Sequence, residues 1–105
     1  MFTRHVIMRL KPNSAAEFTS IVEETVLPMM RQQNGFRDEI TFISVDDSEA
    51  IANSFWETKA DADAYDLAGY PQVLQALSKV LEGTPRVGTA VVSNSTLHQI
   101  AARAA

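Results

Sequence analysis

The stretch Phe36-Arg37-Asp38-Glu39-Ile40-Thr41-Phe42-Ile43-Ser44-Val45-Asp46-Asp47-Ser48-Glu49-Ala50-Ile51-Ala52-Asn53-Ser54-Phe55-Trp56-Glu57 decides the fold. Its two arms are rich in β-branched and aromatic residues, and its middle, Asp46-Asp47-Ser48-Glu49, is a short polar turn. Arms joined this tightly predict an antiparallel hairpin, with strands from Phe36 to Val45 and from Ala50 to Glu57. In the first arm Phe36, Ile40 and Phe42 alternate against Thr41, Ile43 and Val45. The first set is expected to face a core and the second to point outward.

Upstream, Asn34-Gly35 supplies a left-handed stop for a helix. That helix starts at Ser14-Ala15-Ala16-Glu17, which has the form of a capping box, and carries Phe18, Ile21, Val22, Thr25 and Met29 at helical spacing. Pro28 inside it removes an amide donor and is expected to bend it by crowding the Glu24 carbonyl. Before it, residues 2–10 alternate as a strand, with Phe2, Val6, Met8 and Leu10 on one side. Thr3, His5, Ile7 and Arg9 fall on the other, and Arg4 interrupts the apolar side where it can reach solvent or a pocket mouth.

Downstream, Thr58-Lys59-Ala60-Asp61 resembles a helix start for a short helix, Asp61–Leu67. Gly69-Tyr70-Pro71 punctuates it, and Val73, Leu74, Leu77, Val80 and Leu81 form a second amphipathic face, stopped by Gly83. Val87–Val92 is a fourth strand, apolar enough to predict a central position or burial on both faces. The order strand, helix, strand, strand, helix pair, strand is that of an α+β, ferredoxin-like split βαβ unit. It implies a four-stranded antiparallel sheet with helices on one face. Residues 1–95 form this domain, and 96–105 a weakly patterned tail.

Composition narrows the function. The 105 residues carry 9 basic and 13 acidic side chains, a net charge of −4, no cysteine and two histidines. Disulfide scaffolds, thiolate nucleophiles and cysteine metal sites are excluded, and no basic run suggests nucleic acid. No segment has the apolar length of a membrane span or the pattern of a secretory leader, so a cytoplasmic protein is expected. Both sheet faces are apolar and one helix layer covers only one, so a homodimer pairing the bare faces is expected.

On Gly35-Phe36, Phe55-Trp56-Glu57-Thr58 and the helical alanines that follow, residues 2–95 resemble the antibiotic biosynthesis monooxygenase family of dimeric α/β-barrel proteins. The resemblance implies a cofactor-independent oxygenase, in which a deprotonated phenol or anthrone itself reduces dioxygen. No cofactor or metal is then expected. Trp56 ends the third strand where the family commonly has tryptophan; it is a pocket wall for an aromatic substrate or a core residue. Tyr65 stands where many relatives carry histidine. A phenol there hydrogen-bonds a substrate oxygen or packs on Trp56, but is a poor general base. Asn53 is one position later than the family's pocket asparagine, which is Ala52 here; it is a candidate substrate contact if a bulge turns it inward, or else an interface residue, since alternation puts it on the face opposite Trp56.

His5 is the one histidine within the predicted fold and is the candidate proton acceptor near neutral pH, or else an interface residue. Arg4 and Arg86 are candidates for steering or holding an anion. Tyr70 closes a pocket mouth or staples a helix start. Phe18, Val22, Met29, Leu74 and Leu77 are core or apolar lining. The Asp46–Glu49 cluster lacks the spacing of a calcium loop.

The leading expectation is a monooxygenase-like protein for a small quinol- or anthrone-like substrate. The alternative is a non-catalytic small-molecule-binding or stress-related barrel. Haem degradation is weaker, because residues 71–82 lack the histidine that the resemblance would require.

Overall fold

A computed structural model describes residues 1–97; the predicted tail, 96–105 with His98, lies almost entirely outside the described residues. The elements are β1 (Phe2–Leu10), α1 (Ala15–Ile21), a π-helical turn (Val22–Val26), α2 (Leu27–Met30), β2 (Phe36–Ile43), β3 (Glu49–Trp56), α3 (Lys59–Ala68), α4 (Tyr70–Leu77) and β4 (Leu81–Val91). The strands form one antiparallel sheet in the order β2-β3-β1-β4, with the ferredoxin-like topology. The helices lie on one face, over a core built from Val6, Met8, Phe18, Val22, Trp56 and Leu77.

Local sequence accounts for most boundaries. Thr58 Oγ1 accepts from the Asp61 amide and so caps α3. Pro71 lies in the first turn of α4, where its missing amide proton costs nothing. Gly35 takes φ +76°, and a Cβ there would run into the Asp61 side chain, so only glycine fits between the first helical segment and β2. Pro28 is absorbed by the π-helical turn before it, in which the Leu27 amide reaches the Val22 carbonyl. The capping box does not form: Ser14 makes no side-chain cap, and Glu17 pairs instead with the exposed Lys79 just after α4. Asp46 in the hairpin turn accepts from Ser44 and Ser48, and the Ser48 hydroxyl, then Ser44, hold its carboxyl down at about 2.

Two expectations about strands are corrected. β4 is an edge strand rather than a central one, and begins earlier, at Leu81. Gly83, expected to stop a helix, sits in the β4 irregularity opposite Met8 with φ +69°. Val87 and Val91 face the helix side but lie past its cover, 45% and 51% exposed.

In β2, a register shift between Phe36 and Asp38 inverts the alternation. Phe36 faces the helices, but from Asp38 onward Glu39, Thr41 and Ile43 face them. Ile40 and Phe42 point to the bare face, where Phe42 is 56% exposed. No helix among the described residues is long and apolar enough to cross a membrane.

Candidate functional site

Cross-strand register turns the helix-side face into rows. Phe36, Trp56, Phe2 and Val91 form one row, and Thr41, Ala52, Val6 and Val87 another. Between these apolar rows runs a polar one: Glu39, Ser54, Arg4 and Thr89. Neighbouring strands are about 4.8 Å apart, so Glu39 and Arg4 stand about 10 Å apart at the backbone, with the small Ser54 between them. A cavity of about 40 Å³ lies over this row. Tyr65 and Tyr70 border its polar end, with Phe18, Val22, Val73 and Leu77 among its apolar lining.

Arg4 is the fixed charge of the site. It is only 3% exposed, and its Nη2 donates to Asp66 Oδ1 at 2.7 Å; Asp66 itself is 52% exposed on α3. The guanidinium also lies over Tyr70 and Tyr65, 4.6 and 5.2 Å from their ring centroids. Buried guanidinium paired at one end and stacked on phenol rings is held in place without being neutralised from within the cavity. Burial pushes the Tyr65 phenol up to about 12, against the opposing pull of Arg4, so it stays protonated near neutral pH and acts as a donor. Burial also raises Tyr70.

Trp56 is fully buried behind this end of the cavity. Its ring stacks on Tyr65 with centroids 4.8 Å apart and meets Phe36 edge-on at 5.5 Å. Its indole Nε1 donates to Ser54 Oγ at 2.9 Å, so that donor is spent inside the protein, and Ser54 is what the row presents to the cavity.

The residues singled out from sequence therefore divide. Tyr65 and Tyr70 line the cavity with Arg4, and Trp56 backs them. His5 and Asn53 are cross-strand partners on the opposite, bare face; the His5 ring lies so close over Gly88 that a Cβ there would meet Nε2 at 2.1 Å. Arg86 is on that face too, opposite Ile7, beside a shallow groove with Arg9, Glu49 and Glu82. Glu39, Thr41 and Ser54 were not anticipated. Ser54 was recoverable from its parity with Trp56, whereas Glu39 and Thr41 were hidden by the β2 register shift.

Among the described residues, no three histidine, cysteine, aspartate or glutamate side chains converge as a metal site.

No protein-family model matches the chain, and no curated protein matches it by sequence. Solved structures do. A monooxygenase from the gene ActVA-Orf6 of Streptomyces coelicolor, in complex with nanaomycin D, matches with a TM-score of 0.77 at 19% identity, over 91% of this chain and 90% of that one. SnoaB, a cofactor-independent oxygenase from Streptomyces nogalater, matches at 0.73 and 18%, over 90% and 95%. A candidate antibiotic biosynthesis monooxygenase from Bordetella bronchiseptica matches at 0.73 and 15%, over 85% and 93%. The chain has the ferredoxin-like fold of structures assigned to the antibiotic biosynthesis monooxygenase family.

Proposed function

We propose that the protein is a cofactor-independent, monooxygenase-like homodimer that takes a small phenol-, quinol- or anthrone-like substrate over the polar row. The observation that carries this reading is Arg4: a buried cation beside an apolar cavity and two aromatic rings. Arg4 lowers the cost of forming the anion of an aromatic alcohol there, as it opposes burial at Tyr65 and Tyr70, and Tyr65 adds a hydrogen-bond donor. An anthrone anion delivers its electrons to dioxygen; one oxygen atom becomes the product carbonyl and the other leaves as water. The fold shared with two oxygenases supports the same reading. The homodimer rests on the bare sheet face, where Phe42, Ile51 and Ile7 form a continuous apolar row.

One observation favours a second reading, a non-catalytic binding module: the Tyr65 phenol is raised to about 12 by burial and serves as a donor, not a base. About 40 Å³ holds a few water molecules, whereas drug-sized ligands occupy about 300–1,000 Å³. A ring enters only if the half-buried Tyr70 and Leu74 at the α4 side swing outward.

Oxygen uptake across a panel of quinols and anthrones decides between them. Turnover above autoxidation in the wild type, reduced at least about tenfold in Arg4→Met, is the expected result for an oxygenase that loses one charged contact to the anion. Binding of panel members without oxygen uptake indicates the binding module.

A further inference from the structure

We propose that Glu39 is the proton acceptor of the cavity, taking the proton of a phenol- or anthrone-like ligand whose oxyanion is held by Arg4. The inference rests on the cavity being an aromatic-alcohol site, as proposed above. Among the ionisable groups that line the cavity, Arg4 is cationic and Tyr65 and Tyr70 are phenols, which leaves Glu39 as the one suited to accept a proton near neutral pH. His5 is on the other face of the sheet.

The geometry supports this role. Glu39 and Arg4 share one row, separated by Ser54, and do not pair with each other: Arg4 binds Asp66, and Glu39 accepts from the Thr41 hydroxyl through Oε2. Oε1 has no protein partner among the described residues, yet no buried side-chain oxygen there lacks a partner, so Oε1 is accessible. A ligand seated between the two places its acidic O–H or C–H at the carboxylate and its oxygen toward the guanidinium.

Other charged groups frame Glu39. Arg4, Tyr65 and Tyr70 face it across the cavity, with Asp66 behind Arg4. Glu23 shares the groove toward the π-helical turn, and Arg31, Arg37 and Asp38 share the groove at the far side of β2. None of the arginines comes within ion-pair distance of it among the described residues. Burial accordingly raises its carboxyl above the ordinary value, with Thr41 opposing, which makes it a better base than a solvated carboxylate.

In the step itself the bond from substrate oxygen or carbon to hydrogen breaks, and the proton forms a bond to Oε1. The electron pair stays on the substrate as the oxyanion beside Arg4, so nothing is oxidised until dioxygen takes electrons from it. The oxygen atom that departs as water takes two protons, the one held by Glu39 and the remaining hydrogen of the carbon that becomes the carbonyl, whose C–H electron pair passes into the new C=O bond as the O–O bond breaks.

The same shift makes a stability prediction. A carboxyl raised in the folded state binds its proton more tightly there than in the unfolded chain. Wild-type stability should therefore fall as pH rises from about 4.5 through the raised value, and Glu39→Gln should abolish that fall.

The test compares wild type, Glu39→Gln and Glu39→Asp in two readouts. For oxygen uptake with an anthrone, Glu39→Gln is expected to lower kcat by at least about 100-fold with KM little changed, to lose the acidic limb of the pH profile, and to be partly rescued by aspartate. The second readout is the spectrum of bound 4-nitrophenol with calorimetry in two buffers. Wild type should hold the phenolate with no net proton released, and Glu39→Gln the neutral phenol. Equal kcat and equal phenolate fractions in wild type and Glu39→Gln overturn the proposal. Phenolate binding that depends on Glu39 without oxygen uptake removes the oxygenase reading and leaves Glu39 standing. Absence of nitrophenol binding removes both.

Discussion

The two faces of this sheet are built from the same four strands, yet polar residues behave differently on them. On the helix side, Arg4 and Ser54 are buried and each has a partner: Asp66 for the guanidinium, the Trp56 indole for the hydroxyl. On the bare side, Thr3, His5 and Asn53 alternate with Ile7, Ile40, Ile51 and Phe55, all half-buried in the protomer, and Phe42 is open to solvent. A polar group under the helices must be satisfied from within and becomes fixed, whereas one on the bare face keeps access to water or to whatever docks there. Chemistry that depends on a pre-set charge suits the first face, and the proposed association suits the second.

Truncating the residue that anchors the covered face should have the largest effect. Trp56→Ala removes a fully buried ring that stacks on Tyr65, meets Phe36 and donates to Ser54. The expected loss is about 3–5 kcal/mol, read as a lower midpoint in urea denaturation. A loss near 1 kcal/mol would mean that the covered face is less closely packed than its burial implies.

The corresponding change on the bare face should leave the fold intact and alter the assembly. Phe42→Asp puts a carboxylate in the row Phe42, Ile51, Ile7, at a side chain that the protomer itself leaves exposed. Light scattering at micromolar concentration is expected to give a dimer for the wild type and a monomer for the variant, with unchanged circular dichroism. A monomeric wild type would end the distinction between the faces, because the apolar row would then be tolerated in water.

How far this contrast could be read in advance depended on whether each strand keeps its period. In β1 alternation is unbroken, so its buried side, with Arg4 as the interruption, is legible directly from residues 2–10. β3 is equally regular, and the opposition of Asn53 and Trp56 follows from it. β2 is not. One extra residue near Arg37 exchanges its faces, and no glycine or proline within Phe36–Ile43 marks the shift; Gly35 just before it reads as the helix stop. The apolar residues Ile40 and Phe42 therefore read as core, and nothing local brings Glu39, the one carboxyl among the described cavity lining, under the helices. The edge position of β4 is illegible for a different reason: apolar residues on an edge strand look the same in sequence as those in a central one, since what covers them is not encoded locally. The Ser14–Glu17 box shows a third cause, a tertiary ion pair with Lys79 taking the Glu17 carboxylate from a local hydrogen bond.

The smallest effect is the most discriminating, because it separates stability from function at a single ion pair. Arg4 and Asp66 bond at 2.7 Å, but one is 3% exposed and the other 52%. Removing the carboxylate with Asp66→Asn strands a buried cation and should cost roughly 1–2 kcal/mol, solvent access at Asp66 keeping the figure below that of a fully buried pair. Removing the cation with Arg4→Met leaves Asp66 with water to replace its partner, and the methionine chain still packs on Tyr65 and Tyr70, so stability should change by less than about 1 kcal/mol. Ligand affinity should order the other way. In Asp66→Asn the guanidinium loses its competing anion, and 4-nitrophenolate should bind as well as in wild type or more tightly; in Arg4→Met it should bind at least about tenfold more weakly. Urea denaturation and phenolate titration on the same two variants read both orders. If the less stable variant were also the weaker binder, Arg4 would be a structural cation whose place beside the cavity serves the fold alone.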